Sequence, residues 1–123
     1  FVAGGNSFYL LQQLKIKNVL QELIDFANNK IYVGSSAGSC IACPSIDYVE
    51  KLDDKSQAPL LNNYNAMNLV NFYILPHYKS KEKYTKLADN IEKEYENYKF
   101  IKLSNEQAVV VDDINNYKIV NTK

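Results

Sequence analysis

The run Ile31-Tyr32-Val33-Gly34-Ser35-Ser36-Ala37-Gly38-Ser39 limits the fold more than any other stretch of the chain. A β-branched and aromatic segment stops at G-x-S-x-G and gives way to small residues suited to a helix start, which is the pattern of a nucleophile elbow. The two glycines flank a turn so tight that side chains there would collide, and the turn lifts the Ser36 hydroxyl off the end of a strand. A serine hydroxyl is a weak nucleophile at neutral pH and needs a base. The chain holds one histidine, His77, so no other imidazole competes for that role.

The segments around the elbow read as alternating helix and strand. Gly4-Gly5-Asn6 is a turn feeding a helix that Ser7 can cap, with Phe8, Leu11 and Leu14 on one face and a break near Lys15-Ile16-Lys17. Val19, Leu20, Leu23, Ile24 and Ala27 resume the helical period until Asn28-Asn29, ahead of a strand over 31–34. Strand, helix and strand in that order make a parallel crossover unit of an α/β fold.

Ser39 to Cys43 reads as a short helix that Pro44 ends or kinks, and Ser45 to Leu61 as a polar loop with one strand at most. Leu69 to Leu75 is almost continuously apolar, as a strand covered on both faces should be, and Pro76-His77 follows at once. The histidine and Ser36 therefore share the carboxyl edge of the strands, where open α/β sheets bind ligands. Ser80 begins an amphipathic helix carrying Tyr84, Leu87, Ala88, Ile91, Tyr95 and Tyr98 on one face. Phe100 to Leu103 is a short strand, and Ala108 to Val111 pairs with Tyr117 to Val120 as a hairpin across the Asp112–Asn116 turn.

Composition narrows the function classes. A chain of 123 residues suits one domain with a core that needs neither metal nor disulfide. It opens inside what reads as a strand end, without an initiator methionine, so the expectation is a fragment lacking a preceding segment. Acidic and basic residues balance at fourteen each with no basic cluster, which argues against a nucleic-acid partner. All fourteen cations are lysine, so a carboxylate clamp built from these residues lacks the bidentate fork of arginine.

No apolar run approaches the roughly 20 residues that span a bilayer and no signal peptide opens the chain, so a cytoplasmic protein without a membrane partner is expected. Cys40 and Cys43 form a C-x-x-C, but a zinc site would need about two more ligands. On one helix face the pair most simply fills space. No metal or cofactor is expected.

Catalysis by Ser36 would need a base, a group orienting that base, and donors for an oxyanion. The helix start after the elbow offers the Ala37 N–H, and the Gly4-Gly5-Asn6 turn offers a second backbone donor. Asp53 and Asp54 lie between Ser36 and His77, Glu106 follows, and Asp112 and Asp113 look like hairpin turn residues. Sequence order does not choose among them, because triads occur in several orders. Other readings to be weighed are an α/β-hydrolase-type esterase, a non-catalytic or degenerate binding domain, and a thiol-redox protein using the cysteine pair.

Three blocks, Val2-Ala3-Gly4-Gly5-Asn6-Ser7-Phe8-Tyr9-Leu10-Leu11, Gly34 to Ser39 continuing to Ala42-Cys43-Pro44, and Leu75-Pro76-His77-Tyr78, occur in an order and spacing that resembles the peptidase E (aspartyl dipeptidase) family of serine peptidases. The resemblance covers essentially the whole chain. It implies a three-layer α/β/α fold with a mostly parallel sheet, akin to flavodoxin and the class I glutamine amidotransferases, here without its first strands.

It also implies Ser36 as nucleophile, His77 as base, Gly5 N–H as second oxyanion donor, and Asn6 as a substrate-binding residue. For the acid it implies Asp54, with Glu106 as the alternate. The implied substrates are short peptides, including those with N-terminal aspartate, handled by a monomer or homodimer. The absence of arginine runs against the aspartyl preference.

Overall fold

The structure, a computed structural model, describes residues 1–113 and 115–122. Its order is α1 (Ser7–Ile16), α2 (Leu20–Asn29), α3 (Ala37–Cys40), β1 (Tyr73–Leu75), α4 (Glu82–Glu94), β2 (Phe100–Lys102), β3 (Gln107–Asp113) and β4 (Asn116–Asn121). Two 3₁₀ turns, Asp47–Lys51 and Lys55–Gln57, lie between α3 and β1. β1 and β2 pair in parallel with Tyr73 opposite Phe100, and β3 and β4 pair antiparallel with Val109 opposite Ile119. The α/β class read from the sequence is present, with a small parallel sheet.

The helix after the glycine turn starts one residue earlier than read. Asn6, not Ser7, is the N-cap, and its side chain accepts from the Tyr9 N–H at 3.0 Å. Ser7 is the first helical residue, and its orphan N–H donates to Asp53 Oδ2 at 2.8 Å. Phe8 and Leu11 carry the buried face, and Asn18 at φ 56° ends the run in the left-handed region. α2 packs Leu20, Leu23 and Ile24 on the core while Phe26 stays exposed.

Two expected strands are shorter than the apolar runs suggested. The 31–34 segment makes a single parallel bridge, Val2 to Gly34, because only Val2 pairs with it: Val2 N–H donates to Val33 C=O at 2.8 Å and Ser35 N–H to Val2 C=O at 2.9 Å. Within 69–75 only the last three residues are strand. Asn68 turns at φ 52°, and the N–H groups of Met67, Asn68 and Leu69 are committed to the carbonyls of Ile41, Cys43 and Ala42. Backbone groups spent on that loop cannot also join a ladder.

The 45–61 region contributes core rather than a strand. Tyr48 is fully buried, donates to the Ile74 carbonyl at 2.7 Å, and meets Tyr73 and Phe100 edge to face. α4 stops at Glu94, before Tyr95 and Tyr98; Tyr98 leaves the helix to stack on Tyr73 with ring centroids 4.0 Å apart and to donate to Asp47 at 2.6 Å. The hairpin lies where its alternation placed it and is longer at both ends. Of its expected turn over 112–116, residue 114 lies outside the described residues.

One core cluster joins Phe8, Leu11, Ile41, Ile46, Tyr48, Leu75 and Ile91; a second joins Cys43, Phe72, Ile74 and Ile101 under the hairpin. Both cysteines are buried and free. Among the described residues no helix is long and apolar enough to cross a membrane, and no group of three metal-ligating side chains is present.

A Cβ on Gly38 would fall far inside contact distance of the Val2 carbonyl oxygen, and one on Gly34 would strike the Gly38 carbonyl. Gly38→Ala should therefore lower stability by about 1–3 kcal/mol or more, since neither obstacle is a movable side chain. Denaturant unfolding checks this; an unchanged midpoint would contradict the packing described.

Candidate active site

The chain between Gly34 and α3 bends sharply at Ser36, whose φ of 53° and ψ of −111° lie outside the regions open to ordinary residues. Such a conformation costs of order 1–3 kcal/mol and persists only where neighbours over-determine it. Here they do. The Ser36 carbonyl accepts from Ser39 N–H at 2.9 Å, Cys40 N–H at 3.0 Å and Ser39 Oγ at 2.6 Å, while the Gly38 carbonyl accepts from Tyr32 Oη at 2.7 Å. Ser39 thus braces the elbow, and its hydroxyl is committed to that bond.

His77 arrives from the adjoining strand end. β1 finishes at Leu75, Pro76 cannot extend the ladder, and His77 turns into the left-handed region at φ 65°. The turn is fastened by Ser80, whose Oγ donates to the His77 carbonyl at 2.6 Å. The ring's Nε2 lies 3.0 Å from Ser36 Oγ, and the ring is tilted 39° to that of Tyr84 at a centroid distance of 5.7 Å. The two residues singled out from motif and count are within hydrogen-bond reach of each other.

The group at the other ring nitrogen is Asn105, whose Oδ1 lies 2.9 Å from His77 Nδ1. Parallel pairing explains the meeting. Leu103 N–H donates to the Leu75 carbonyl and Tyr78 N–H to the Leu103 carbonyl, so the chain leaves β2 alongside the turn that carries His77. An amide oxygen only accepts, so both contacts are hydrogen bonds in the tautomer with its proton on Nδ1, the one whose Nε2 can accept from the Ser36 hydroxyl. Asn105 is uncharged, so residue type alone does not mark it in the sequence as a partner for an imidazole. Its position just past a strand that runs parallel to the histidine's strand is the signal that points to it.

Neither carboxylate proposed as the orienting acid supplies this contact. Asp54 turns its side chain to cap the next 3₁₀ turn, accepting from Ser56 N–H at 2.9 Å, and the hydrogen bonds from Ser56 hold its carboxyl below the usual range. Glu106 follows Asn105 in the same turn, where its N–H donates to Ser104 Oγ and its carbonyl accepts from Thr122. Asn6 is likewise occupied at both ends, its Oδ1 capping α1 and its Nδ2 donating to the Asp54 carbonyl at 2.8 Å. It joins the glycine turn to the 53–57 loop.

The remaining groups frame a cavity of about 220 Å³ lined by Ser7, Ser36, Ala37, Cys40, Val49, Leu52, Asp53, Pro76, His77 and Tyr84. The N–H groups of Ala37 and Gly5 donate to no protein acceptor among the described residues. Gly4 runs beside the nucleophile, close enough that a Cβ there would stand 3.2 Å from Ser36 Cβ, and Gly5 follows at φ 138°, a conformation that favours glycine. Burial pushes the Cys40 thiol up to about 11 and the Cys43 thiol to about 12, so neither is a thiolate at neutral pH. The C-x-x-C pair is core.

The profile of peptidase family S51 matches residues 1–119. The chain belongs to peptidase family S51. Its relatives include an uncharacterized peptidase of Listeria innocua, 40% identical over 118 residues that make up 92% of this chain and 54% of the relative. A peptidase E of Escherichia coli is 32% identical over 80 residues, 63% of this chain and 32% of that one.

Among solved structures, a protein provisionally described as a peptidase E from Listeria monocytogenes EGD-e superposes with a TM-score of 0.82 at 34% identity, over 98% of this chain and 57% of its own. The chain thus spans about half the length of the curated relative and of the solved structure that it matches over most of its residues.

If Asn105 orients the imidazole, Asn105→Ala should slow acylation of Ser36 by a fluorophosphonate about ten- to a hundredfold, less than the 10²–10⁴-fold typical of the base itself. Asn105→Asp places a carboxylate beside the ring and favours the protonated form, so the acid-side midpoint of the reaction should move up by about one pH unit or more. Profiles of both variants that overlay the native one would remove Asn105 from the site.

Proposed function

We propose that this chain is the catalytic part of a serine peptidase that hydrolyses short peptides, with Ser36 as nucleophile and His77 as general base. The observation carrying this reading is the 3.0 Å approach of Ser36 Oγ to His77 Nε2 on a strained elbow. Family membership supports the reaction class. The three-layer arrangement of sheet and helices belongs to the same proposal, as the setting in which the two parallel pairings would sit.

His77 takes the Ser36 proton at Nε2 as Oγ attacks the peptide carbonyl. The resulting imidazolium keeps its Nδ1 proton on Asn105 Oδ1. The free N–H groups of Ala37 and Gly5 receive the oxyanion, where each donor would contribute about a hundred- to a thousandfold in rate. His77 then protonates the leaving amine, and a water molecule, deprotonated by the same ring, releases the acyl group from Ser36. An amide at the third position orients the ring as a carboxylate would, but offers the imidazolium a dipole instead of a charge. The Cys-His-Asn arrangement of papain-like proteases uses the same compromise.

A cavity of about 220 Å³ lies below the roughly 300–1,000 Å³ of drug-sized ligand sites, which fits a substrate reading of one or two residues and hence dipeptides. A preference for N-terminal aspartyl peptides would call for a cation facing the substrate side chain, and apart from the His77 imidazole the residues lining the cavity carry none.

The native chain should be labelled by a fluorophosphonate and release amino acids from dipeptides, and Ser36→Ala should abolish both. Equal labelling of the two proteins would contradict the assignment of Ser36. Activity on simple esters alone would move the reading to an esterase, and a folded chain without labelling to a binding domain.

A further inference from the structure

Among the described residues that line the cavity, Asp53 is the only Asp, Glu, Lys or Arg. It is held there by the fold. The 47–51 turn positions its backbone, with its N–H donating to the Val49 carbonyl at 3.0 Å, and Ser7 N–H at the start of α1 fixes Oδ2 at 2.8 Å. That bond uses one oxygen. The carboxylate has no ion-pair partner among the described residues, and none of the described lysines lines the cavity. A half-buried anion with acceptor capacity left over, facing the space where substrate must lie, selects for positive charge.

Geometry fixes which part of the substrate could answer. The nitrogen of an amino-terminal residue lies only about 2.5 Å from its own carbonyl carbon, by ordinary backbone bond lengths and angles. If that carbon sits at Ser36 Oγ, its ammonium group is confined to the same small cavity, as Asp53 is. A lysine side chain on that residue offers the same chemistry from further away. An acidic side chain in that position would face a like charge.

We infer that Asp53 is the substrate-reading residue of this cavity, and that it takes a primary ammonium group carried by the residue whose carbonyl Ser36 attacks. The inference rests on the peptidase reading of Ser36, since that carbonyl fixes where the ammonium falls. Asp53 orients substrate and takes no part in proton transfer.

The test is a binding measurement that needs no turnover, so it is separate from the labelling experiment that decides the role of Ser36. The full chain carrying Ser36→Ala is titrated calorimetrically with alanyl-alanine amide, N-acetyl-alanyl-alanine amide and N-acetyl-lysyl-alanine amide. The free-amine peptide should bind at least about tenfold more tightly than its acetylated form, as expected of one desolvated charge pair. Adding Asp53→Asn, which keeps an oxygen for Ser7 N–H, should erase the difference.

Tight binding of the acetyl-lysyl peptide, lost with Asp53→Asn, would assign the ammonium to the side chain; tight binding of alanyl-alanine amide alone assigns it to the α-amino group. Should Asp53→Asn fail to fold, the preference measured without it should shrink between about 0.01 M and 1 M salt, over which the screening length falls from about 30 to 3 Å. Equal affinity for all three peptides, or a preference that survives both the substitution and high salt, would overturn the inference.

Discussion

The carbonyl of Val2 occupies the space that a side chain on Gly38 would need, and the Gly38 carbonyl occupies the space above Gly34. Only a chain with hydrogen atoms at both places lets the two backbones close on each other, and that closure forces the bend at Ser36. The bend then survives because Val2, Tyr32 and Ser39 donate to or accept from the groups around it. The bend leaves Ser36 Oγ 3.0 Å from His77 Nε2, and the Ala37 N–H that follows it has no protein acceptor among the described residues.

A second constraint brings the remaining groups to that hydroxyl. β1 and β2 run parallel, so the chain leaves both at the same edge, and the two exits deliver His77 and Asn105 within hydrogen-bond distance of one another. The core beneath them is dense with aromatic rings. Tyr48 ties the 47–51 turn to β1 through the Ile74 carbonyl, and the same turn leads directly to Asp53. Packing of a buried tyrosine therefore positions one wall of the cavity, which links an apolar interaction to the placement of the Asp53 carboxylate.

Ser36 and His77 were legible in the sequence because a motif with a steric reason marks one and scarcity marks the other. Helix faces were legible too, since Phe8, Leu11, Ala88 and Ile91 repeat at helical spacing. Strand lengths were not: an apolar run such as 69–75 is buried for several reasons, and the loop carbonyls of 41–43 claim the backbone N–H groups of Met67, Asn68 and Leu69 at its start. The role of Tyr48 depends on contacts with residues 25 or more positions away, which no local pattern carries. Asn105 escaped because charge is the usual guide to a partner for histidine, and an amide has none. Asp54 and Asn6 have the right residue types near the right places, yet backbone donors at helix starts claim them first.

With a single histidine in the chain, the tautomer of its ring reports directly on the arrangement of Ser36, His77 and Asn105. A long-range proton–nitrogen correlation spectrum of the imidazole, recorded above its titration range, should find Nδ1 protonated and Nε2 bare, because Asn105 Oδ1 accepts at one side and the Ser36 hydroxyl donates at the other. A ring protonated at Nε2, or one exchanging freely between the two forms, would mean that these groups do not hold it as described.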